Sequence, residues 1–313
     1  MTSSPETKTM GAFINFCTYF GLPITFLVIV YRLLSDSKSN RIEKLKGKVV
    51  LITGASSGVG EALAHAFYTY GCKVVLAARR VNELERVKND LLAKKVNIPA
   101  QEPIIVHLDL EQISSLDDVV QKIHGQCGHI DILINNGGVS SRGRVLDTNM
   151  DVQTKLMFVN HLGPLALTKS VLPKMVERKV GHIVFVSSVQ GRIALPDRSA
   201  YSASKHASQA AADSLRAEVA CHNINVSVVS PGYIQTALSL NALTGTGNLH
   251  GVMDATTAAG YKPEYVADKI VNMVVSRQDE LVLAPLSNKC ALMLRYLAPS
   301  VYFWIMKKRA SKL

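Results

Sequence analysis

A doubly wound, parallel α/β sheet is the fold class this chain predicts, and three observations carry it. From residue 47 onward, short β-branched runs alternate with longer stretches of helical periodicity, the pattern of strands joined by crossover helices. A glycine-rich turn, Thr53-Gly54-Ala55-Ser56-Ser57-Gly58-Val59-Gly60, follows the first run and leads into a helical pattern. Tyr201 and Lys205 stand four residues apart, which on a helix puts both side chains on one face, one turn apart.

The strands are predicted over 48–53, 73–77, 104–108, 130–134, 182–186, 225–229 and 280–284, with a helix continuing through 61–67 after the glycine turn. Asn225-Val226-Ser227 is a glycosylation sequon on paper. It lies in an alternating apolar run that reads as a buried strand, so it is taken as accidental. No internal repeat or low-complexity segment interrupts the series.

The chain of 313 residues, 48% hydrophobic, is long enough for one large α/β domain with extensions. Its cysteines (Cys17, Cys72, Cys127, Cys221 and Cys290) are odd in number, widely spaced and free of any Cys-x-x-Cys. They suggest neither a disulfide framework nor a zinc site, and a reducing compartment fits them best. The net charge of +11 is concentrated near the ends. Arg32, Lys38, Arg41, Lys44, Lys46 and Lys48 follow one apolar segment, and Lys307, Lys308, Arg309 and Lys312 follow another. Basic clusters beside apolar segments fit an anionic lipid surface, and with no nucleic-acid motif in the chain no nucleic-acid partner is expected.

The expected organisation is a tail over 1–10, a transmembrane anchor over 11–31, a basic linker over 32–46, a catalytic domain over 47–285 and an apolar extension over 286–313. Residues 9–31 carry no charged side chain, enough to span a bilayer. The basic residues after them place the main domain in the cytosol. The run 291–306 is broken by Arg295 and Pro299 and reads as an interfacial segment or a cover for a substrate channel, against an ordinary core helix. The chain ends Ser311-Lys312-Leu313, the form of a peroxisomal address. The membrane is therefore expected to be that of peroxisomes, of the endoplasmic reticulum, or both.

The chemistry is read from the carboxyl ends of the predicted strands. Gly54, Gly58 and Gly60 allow a tight turn and close approach of a pyrophosphate to a helix N-terminus. The second strand ends Ala77-Ala78-Arg79-Arg80, where an NAD site would carry a carboxylate. Arginines there suit the extra 2′-phosphate and predict NADPH. Asp109 is placed to accept a hydrogen bond from the adenine amine, and Asn135-Asn136-Gly137-Gly138 to brace the ribose side. A lysine beside a tyrosine lowers the phenol's pKa, so Tyr201 and Lys205 form a proton donor and acceptor for interconverting an alcohol and a ketone. Ser188 is placed to hold the substrate oxygen, and no metal is called for. Arg192 and Arg198 flank the loop between Ser188 and Tyr201 and are candidates for binding a substrate phosphate. Residues 237–260, rich in Gly, Thr and Ala, read as a lid.

Together these residues resemble the short-chain dehydrogenase/reductase family over about residues 47–285, through Thr53–Gly60, Tyr201 with Lys205, and Ser188. The resemblance implies a Rossmann-type sheet, and it implies that Asn160 supports a proton relay. It further implies cofactor contacts from Thr53, Gly54, Ser56, Ser57, Gly58, Gly60, Arg79, Arg80, Asp109, Asn135, Tyr201, Lys205, Pro231, Gly232, Ile234 and Thr236. One departure is Gly137, where the family has alanine. The family is often dimeric through the helix that carries the tyrosine, so a homodimer is an expectation. Segments 163–169, 198–201 and 230–234 resemble a membrane-anchored branch of that family associated with reducing acyl- and alkyl-dihydroxyacetone phosphate in ether-lipid synthesis. A lipid-like substrate is therefore expected. Steroids or retinoids are the rival substrates, and an NADPH-binding membrane tether without turnover is the rival of another class.

Overall fold

The computed structural model describes residues 24–25, 38–96 and 98–311. The chain divides into a unit up to Lys44 and a unit from Leu45 to Leu313, and helix α1 (Lys38–Leu45) ends at that division. The anchor expected over 11–31 lies outside the described residues apart from Ile24 and Thr25, and so do Lys312 and Leu313. No helix among the described residues is long and apolar enough to cross a membrane, so the anchor is left unconfirmed.

The larger unit begins β1 (Val49–Thr53), α2 (Gly58–Thr69), β2 (Lys73–Ala78), α3 (Val81–Ala93), β3 (Ile104–His107), α4 (Leu116–Cys127) and β4 (Ile132–Asn135). It continues with β5 (Ser141–Arg142), α5 (Met150–Met157), α6 (Gly163–Arg178), β6 (Gly181–Val186), α7 (Ser199–Val219) and β7 (Ile224–Pro231). It closes with β8 (Leu243–Thr244), α8 (Pro263–Ser276), β9 (Glu280–Leu283), α9 (Leu286–Leu297) and α10 (Pro299–Ala310). Every strand the sequence predicts is present, within two residues at either end.

Seven strands form one parallel sheet in the order β3-β2-β1-β4-β6-β7-β9. The β-branched runs form central strands because both of their faces are covered. Val50, Ile52, Val74, Leu76, Ile132 and Ile134 pack on one face with Leu63 and Phe67 of α2 and Val266 and Ile270 of α8. Val49, Leu51, Val75, Ala77 and Leu133 pack on the other with Val120 and Ile123 of α4, Leu167 and Val171 of α6, and Leu215 of α7. In α8 the buried residues Val266, Ala267, Ile270, Val271 and Val274 recur at the spacing of one helix face. The sequon strand is buried at Val226 and Ser227, and the Ser227 hydroxyl is 2.8 Å from His182 Nε2.

The chain lays β1, β2 and β3 outward in one direction and then returns to place β4 on the other side of β1. The crossovers diverge there, and a crevice opens outside the carboxyl ends of β1 and β4. The opposite, amino-terminal edge is held by Asp131, 4% exposed. Its carboxylate accepts from Val49 N–H at 3.0 Å and from Arg178 at 2.8 Å, and lies 3.5 Å from Lys48 Nζ.

Burial pushes the Asp131 carboxyl up, but the Arg178 hydrogen bond, the Val49 N–H and the Lys48 charge outweigh it and hold its pKa below the ordinary value. A depressed folded-state pKa contributes stability above the unfolded value of about 4, and that stability is lost as the pH falls through the folded value. Asp131→Asn should lower the unfolding free energy at pH 7 by about 3 kcal/mol. Denaturant melts across pH 3 to 7 should show the gap between wild type and variant closing below about pH 4.

Candidate active site

Thr53 closes β1 and clamps it to β4. Its hydroxyl donates to Ile134 O at 3.3 Å and accepts from the N–H groups of Asn136 and Gly137 at 3.0 and 2.9 Å. The Asn136 side-chain amide donates to Thr53 O at 2.9 Å. Beyond Thr53 the chain turns through Gly54 and Gly58, at φ +66° and +60°, a left-handed backbone that favours glycine. A Cβ on Gly60 would run into Gly54 O, and one on Gly58 would meet Thr236 Cγ2 at 3.0 Å. The turn therefore lies flat against the strand ends at the N-terminus of α2, a cradle of the kind that takes a dinucleotide pyrophosphate. At Gly137, a Cβ would come 3.0 Å from Leu110 Cδ1 and 3.3 Å from Thr53 Oγ1, so the missing methyl is taken up by tighter packing.

The two arginines after β2 part company. Arg80 Nη2 donates to Ser56 Oγ at 3.0 Å and Ser57 Oγ at 2.9 Å, which brings it to the tip of the glycine turn. Arg79 lies 3.5 Å from Glu111 and is half exposed. Residues 79–83 line a shallow cleft of about 410 Å³. Asp109 accepts from Glu111 N–H at 3.1 Å just beyond β3. Asn135 is brought to the end of β4, but its side-chain amide faces α6 and donates to Thr168 Oγ1 at 2.9 Å. It holds the strand end, and Asn136 is the residue that braces the glycine turn. Across the crevice, β7 ends at Pro231, Gly232 N–H just beyond it donates to Leu283 O at 2.8 Å, and Ile234 bridges to Tyr261 ahead of Thr236.

Ser188, Tyr201, Lys205 and Asn160 converge at the carboxyl ends of β4 and β6. Ser188 stands just past β6, where its hydroxyl accepts from Gln190 N–H at 3.1 Å, donates to Pro231 O at 3.5 Å and pulls the Tyr201 pKa down. The loop after it grips α7: Ser202 Oγ donates to Gln190 Oε1 at 3.2 Å, and a Cβ on Gly191 would come 2.9 Å from Lys205 O. Tyr201 is 7% exposed and Lys205 5%. Lys205 Nζ donates to Val186 O at 2.9 Å and lies 5.9 Å from the Tyr201 ring centroid. Asn160 sits in a five-residue π turn, Phe158–Leu162, a device found often at functional sites. Its side chain accepts from Val139 N–H at 2.8 Å and donates to Val139 O and Ser204 Oγ, each at 2.9 Å.

The electrostatics correct one expectation. The spacing predicts that Lys205 lowers the tyrosine pKa, yet burial raises the Tyr201 phenol above its ordinary value. The groups that pull it down are the Ser188 hydroxyl and the charges of Arg142 and Arg198. Lys205 is itself pushed down to about 8 by burial, because its ammonium has left water for a single backbone carbonyl. The resulting pair is a phenol held protonated at neutral pH beside an amine that exchanges its proton near it.

The substrate side differs more from expectation. Arg192 is committed to the body of the fold: Nε donates to Ser230 Oγ at 3.1 Å and Nη2 pairs with Glu280 at 2.8 Å. Arg198 stays beside Tyr201 and pairs with Asp254 at 3.5 Å. Arg142 joins the same carboxylate. The sequence reading missed Arg142 and Asp254, which lie 112 residues apart and are brought together by the pairing of β5 with β8. The same pairing ties down the segment read as a lid, with Leu243 N–H donating to Ser140 O at 2.9 Å. The C-terminal run forms two helices, α9 and α10, split at Ala298-Pro299. Tyr302 alone in these helices is buried, its hydroxyl donating to Ala194 O at 2.9 Å, while Leu286, Leu297 and Trp304 are exposed. That exposure rules out a core helix. The helices cover the 192–196 loop over a cleft of about 480 Å³.

Over residues 48–245 the chain matches the family model of short chain dehydrogenases. A "Dehydrogenase/reductase SDR family protein 7-like" from Anopheles gambiae is 57% identical over 293 residues, covering 93% of this chain and 92% of that protein. "Dehydrogenase/reductase SDR family member 7B" from Bos taurus is 45% identical over 269 residues, covering 86% and 83%. Among solved structures, a short chain dehydrogenase/reductase from Burkholderia phymatum in complex with NAD matches with a TM-score of 0.71 at 21% identity, covering 82% of this chain and 95% of that one, a likeness of fold alone. A metagenomic short-chain oxidoreductase in complex with NADP matches with a TM-score of 0.62 at 27% identity, covering 77% and 98%.

The glycine cradle makes a test independent of turnover. Gly60→Ala should lower the unfolding free energy by about 2 kcal/mol, because backbone rather than a flexible side chain must yield. It should also weaken dinucleotide binding, read by nicotinamide fluorescence, by about tenfold or more.

Proposed function

The chain belongs to the short-chain dehydrogenase/reductase family, and from that membership we propose that it is an NADPH-dependent oxidoreductase interconverting a ketone and a secondary alcohol on a membrane-associated lipid, of the type of acyl- or alkyl-dihydroxyacetone phosphate. The observation that carries the reading is the buried Ser188–Tyr201 hydroxyl pair with Lys205 one helical turn on, at the crevice where the glycine cradle also ends.

When bound, the dinucleotide supplies the hydride that a carbonyl carbon accepts. The residues of the chain do the rest. Thr53 to Gly60 would cradle the pyrophosphate, with Thr236 against the turn. Ser188 and Tyr201 hold the carbonyl oxygen by hydrogen bonds. Tyr201, kept neutral by burial, delivers its phenolic proton to that oxygen as charge develops. Lys205, with a pKa of about 8, returns a proton to the phenolate, and Asn160 fixes the strand end against α7. The protonated phenol is the form that carbonyl reduction consumes.

NADPH over NADH is supported by Arg80 at the glycine turn and by the lack of a carboxylate at Ala77-Ala78, since a guanidinium pairs well with a 2′-phosphate. A lipid substrate is supported by the exposed apolar side chains of α9 and α10, the cleft they form with the 192–196 loop, and the apolar stretch over 9–31. The Lys307-Lys308-Arg309 run at the end of α10 suits an anionic membrane surface.

In full-length detergent-solubilised protein, Tyr201→Phe should lower NADPH-dependent ketone reduction by about 10² to 10⁴-fold while NADPH binding stays within about threefold. Full turnover in the variant would remove Tyr201 from its role. Arg80→Asp should weaken NADPH binding by about tenfold or more and leave NADH much less affected. Equal losses for both would remove the 2′-phosphate from the account.

A further inference from the structure

Beside Tyr201 lies a charged cluster that the proton chemistry does not use. Three segments remote in sequence build it. Arg142 comes from β5, Arg198 from the turn just before α7, and Asp254 from the chain after β8. Gly143 N–H donates to Asp197 O at 3.1 Å, and β5 pairs in parallel with β8, so all three side chains meet beside the N-terminus of α7. Arg142 Nη1 donates to Ser140 Oγ at 2.8 Å and Ser141 O at 2.9 Å. Its Nε donates to Asp254 Oδ2 at 3.1 Å, and its Nη2 donates to the same oxygen. Arg198 Nη2 also reaches that oxygen, at 3.5 Å. The arginine side chains are 12% and 16% exposed.

Two guanidiniums therefore share one carboxylate oxygen. His250 Nε2, 3.7 Å from Oδ1, faces the other. No ion pair joins Asp197 to either arginine among the described residues, although its charge bears on Arg198. A tether between β5 and the chain after β8 needs one arginine for one carboxylate. The second brings a like charge into a half-buried place, which is unfavourable unless something answers it. Burial and the Arg142 charge together push Arg198 down to about 10. Its two hydrogen bonds, to Asp197 O at 3.4 Å and to Asp254, are both long. Arg198 caps the helix whose first turn carries Tyr201, and both guanidinium charges act on the Tyr201 hydroxyl, so the cluster lies beside the proposed proton donor.

We propose that Arg142 and Arg198 form the anion subsite of the substrate pocket and take a phosphate monoester carried by the ketone substrate, with Asp254 as the internal carboxylate that gives up its place to it. A dianionic phosphate answers two guanidiniums where a carboxylate answers one, and it offers enough oxygens for both forks. Arg192, bound to Glu280 and Ser230, is not part of this subsite. The inference rests on the ketone-reductase reading above.

The test compares 1-hexadecanoyl-dihydroxyacetone phosphate with the uncharged 1-hexadecanoyl-dihydroxyacetone, using full-length protein with NADPH. Arg142→Met and Arg198→Met should each raise KM for the phosphorylated ketone about tenfold to hundredfold more than for the uncharged one, with Arg142→Lys and Arg198→Lys recovering part of the difference. Asp254→Asn should lower KM for the phosphorylated ketone alone. Thermal melts report whether each variant is folded, and the Lys variants and Asp254→Asn carry the comparison if a Met variant is not. Equal shifts for both ketones would leave the reductase reading standing and overturn the subsite. If wild type reduces neither ketone, the reductase reading on this substrate fails, and hexadecyl phosphate binding to the NADPH complex decides the subsite. Binding weakened about tenfold by Arg142→Met or Arg198→Met, or to a lesser degree by the Lys variant where a Met variant does not fold, supports it, and binding unchanged by all the arginine variants overturns it.

Discussion

Lys205 is held out of water with its ammonium on one backbone carbonyl, Val186 O, and much of the catalytic edge is arranged around that fact. The carbonyl is available because β6 ends there. The lysine reaches it because the 187–191 loop is pressed onto α7, with Gly191 admitting no side chain. Gly138 is also tightly placed, since a Cβ there would come 3.0 Å from Asn160 Oδ1 and 3.5 Å from Lys205 Nζ. Burial of an ammonium is unfavourable, and the answer of the structure is a lysine that gives up its proton easily. The same burial keeps Tyr201 protonated. In water the two groups have nearly the same proton affinity; burial moves them apart, the lysine down to about 8 and the phenol up, so the lysine is the stronger acid and its proton passes downhill to the phenolate.

The parallel sheet supplies the place. Its order reverses between β1 and β4, and the Thr53 hydroxyl ties the two strands where they part. The glycine turn on one side and the Ser188–Tyr201 pair on the other then face one crevice. Asp131 secures the opposite edge of the same strands, so stability and chemistry sit at opposite ends of the sheet. A variant at one end can be read with little interference from the other.

Much of this was legible in the chain. The strands announced themselves because they are buried on both faces, which demands unbroken β-branched runs such as Val49–Thr53. The glycine turn and the Tyr201–Lys205 spacing are local, so the sequence carries them directly. What it did not carry was set by contacts between distant segments. Arg192 read as a candidate for a substrate phosphate, but β9 places Glu280 against it. Arg142 and Asp254 had no local spacing to mark them, because their meeting depends on two-residue strands too short to show a period. Lys205 was expected to act on the phenol through its charge, but the direction of the Tyr201 shift is set by burial, which depends on packing rather than spacing. Asn135 and Asn136 look interchangeable in the chain, but Asn135 ends β4 with its side chain on Thr168 while Asn136, one residue past the strand, turns to Thr53.

The most direct test of the account is the titration of Lys205 Nζ in the free protein, followed by nitrogen-15 resonance in lysine-labelled protein and assigned by its loss in Lys205→Arg. The account predicts one lysine that titrates at about 8. A protein in which every lysine titrates at its ordinary value, about 10.4, would contradict the buried proton pair on which the proposed chemistry depends.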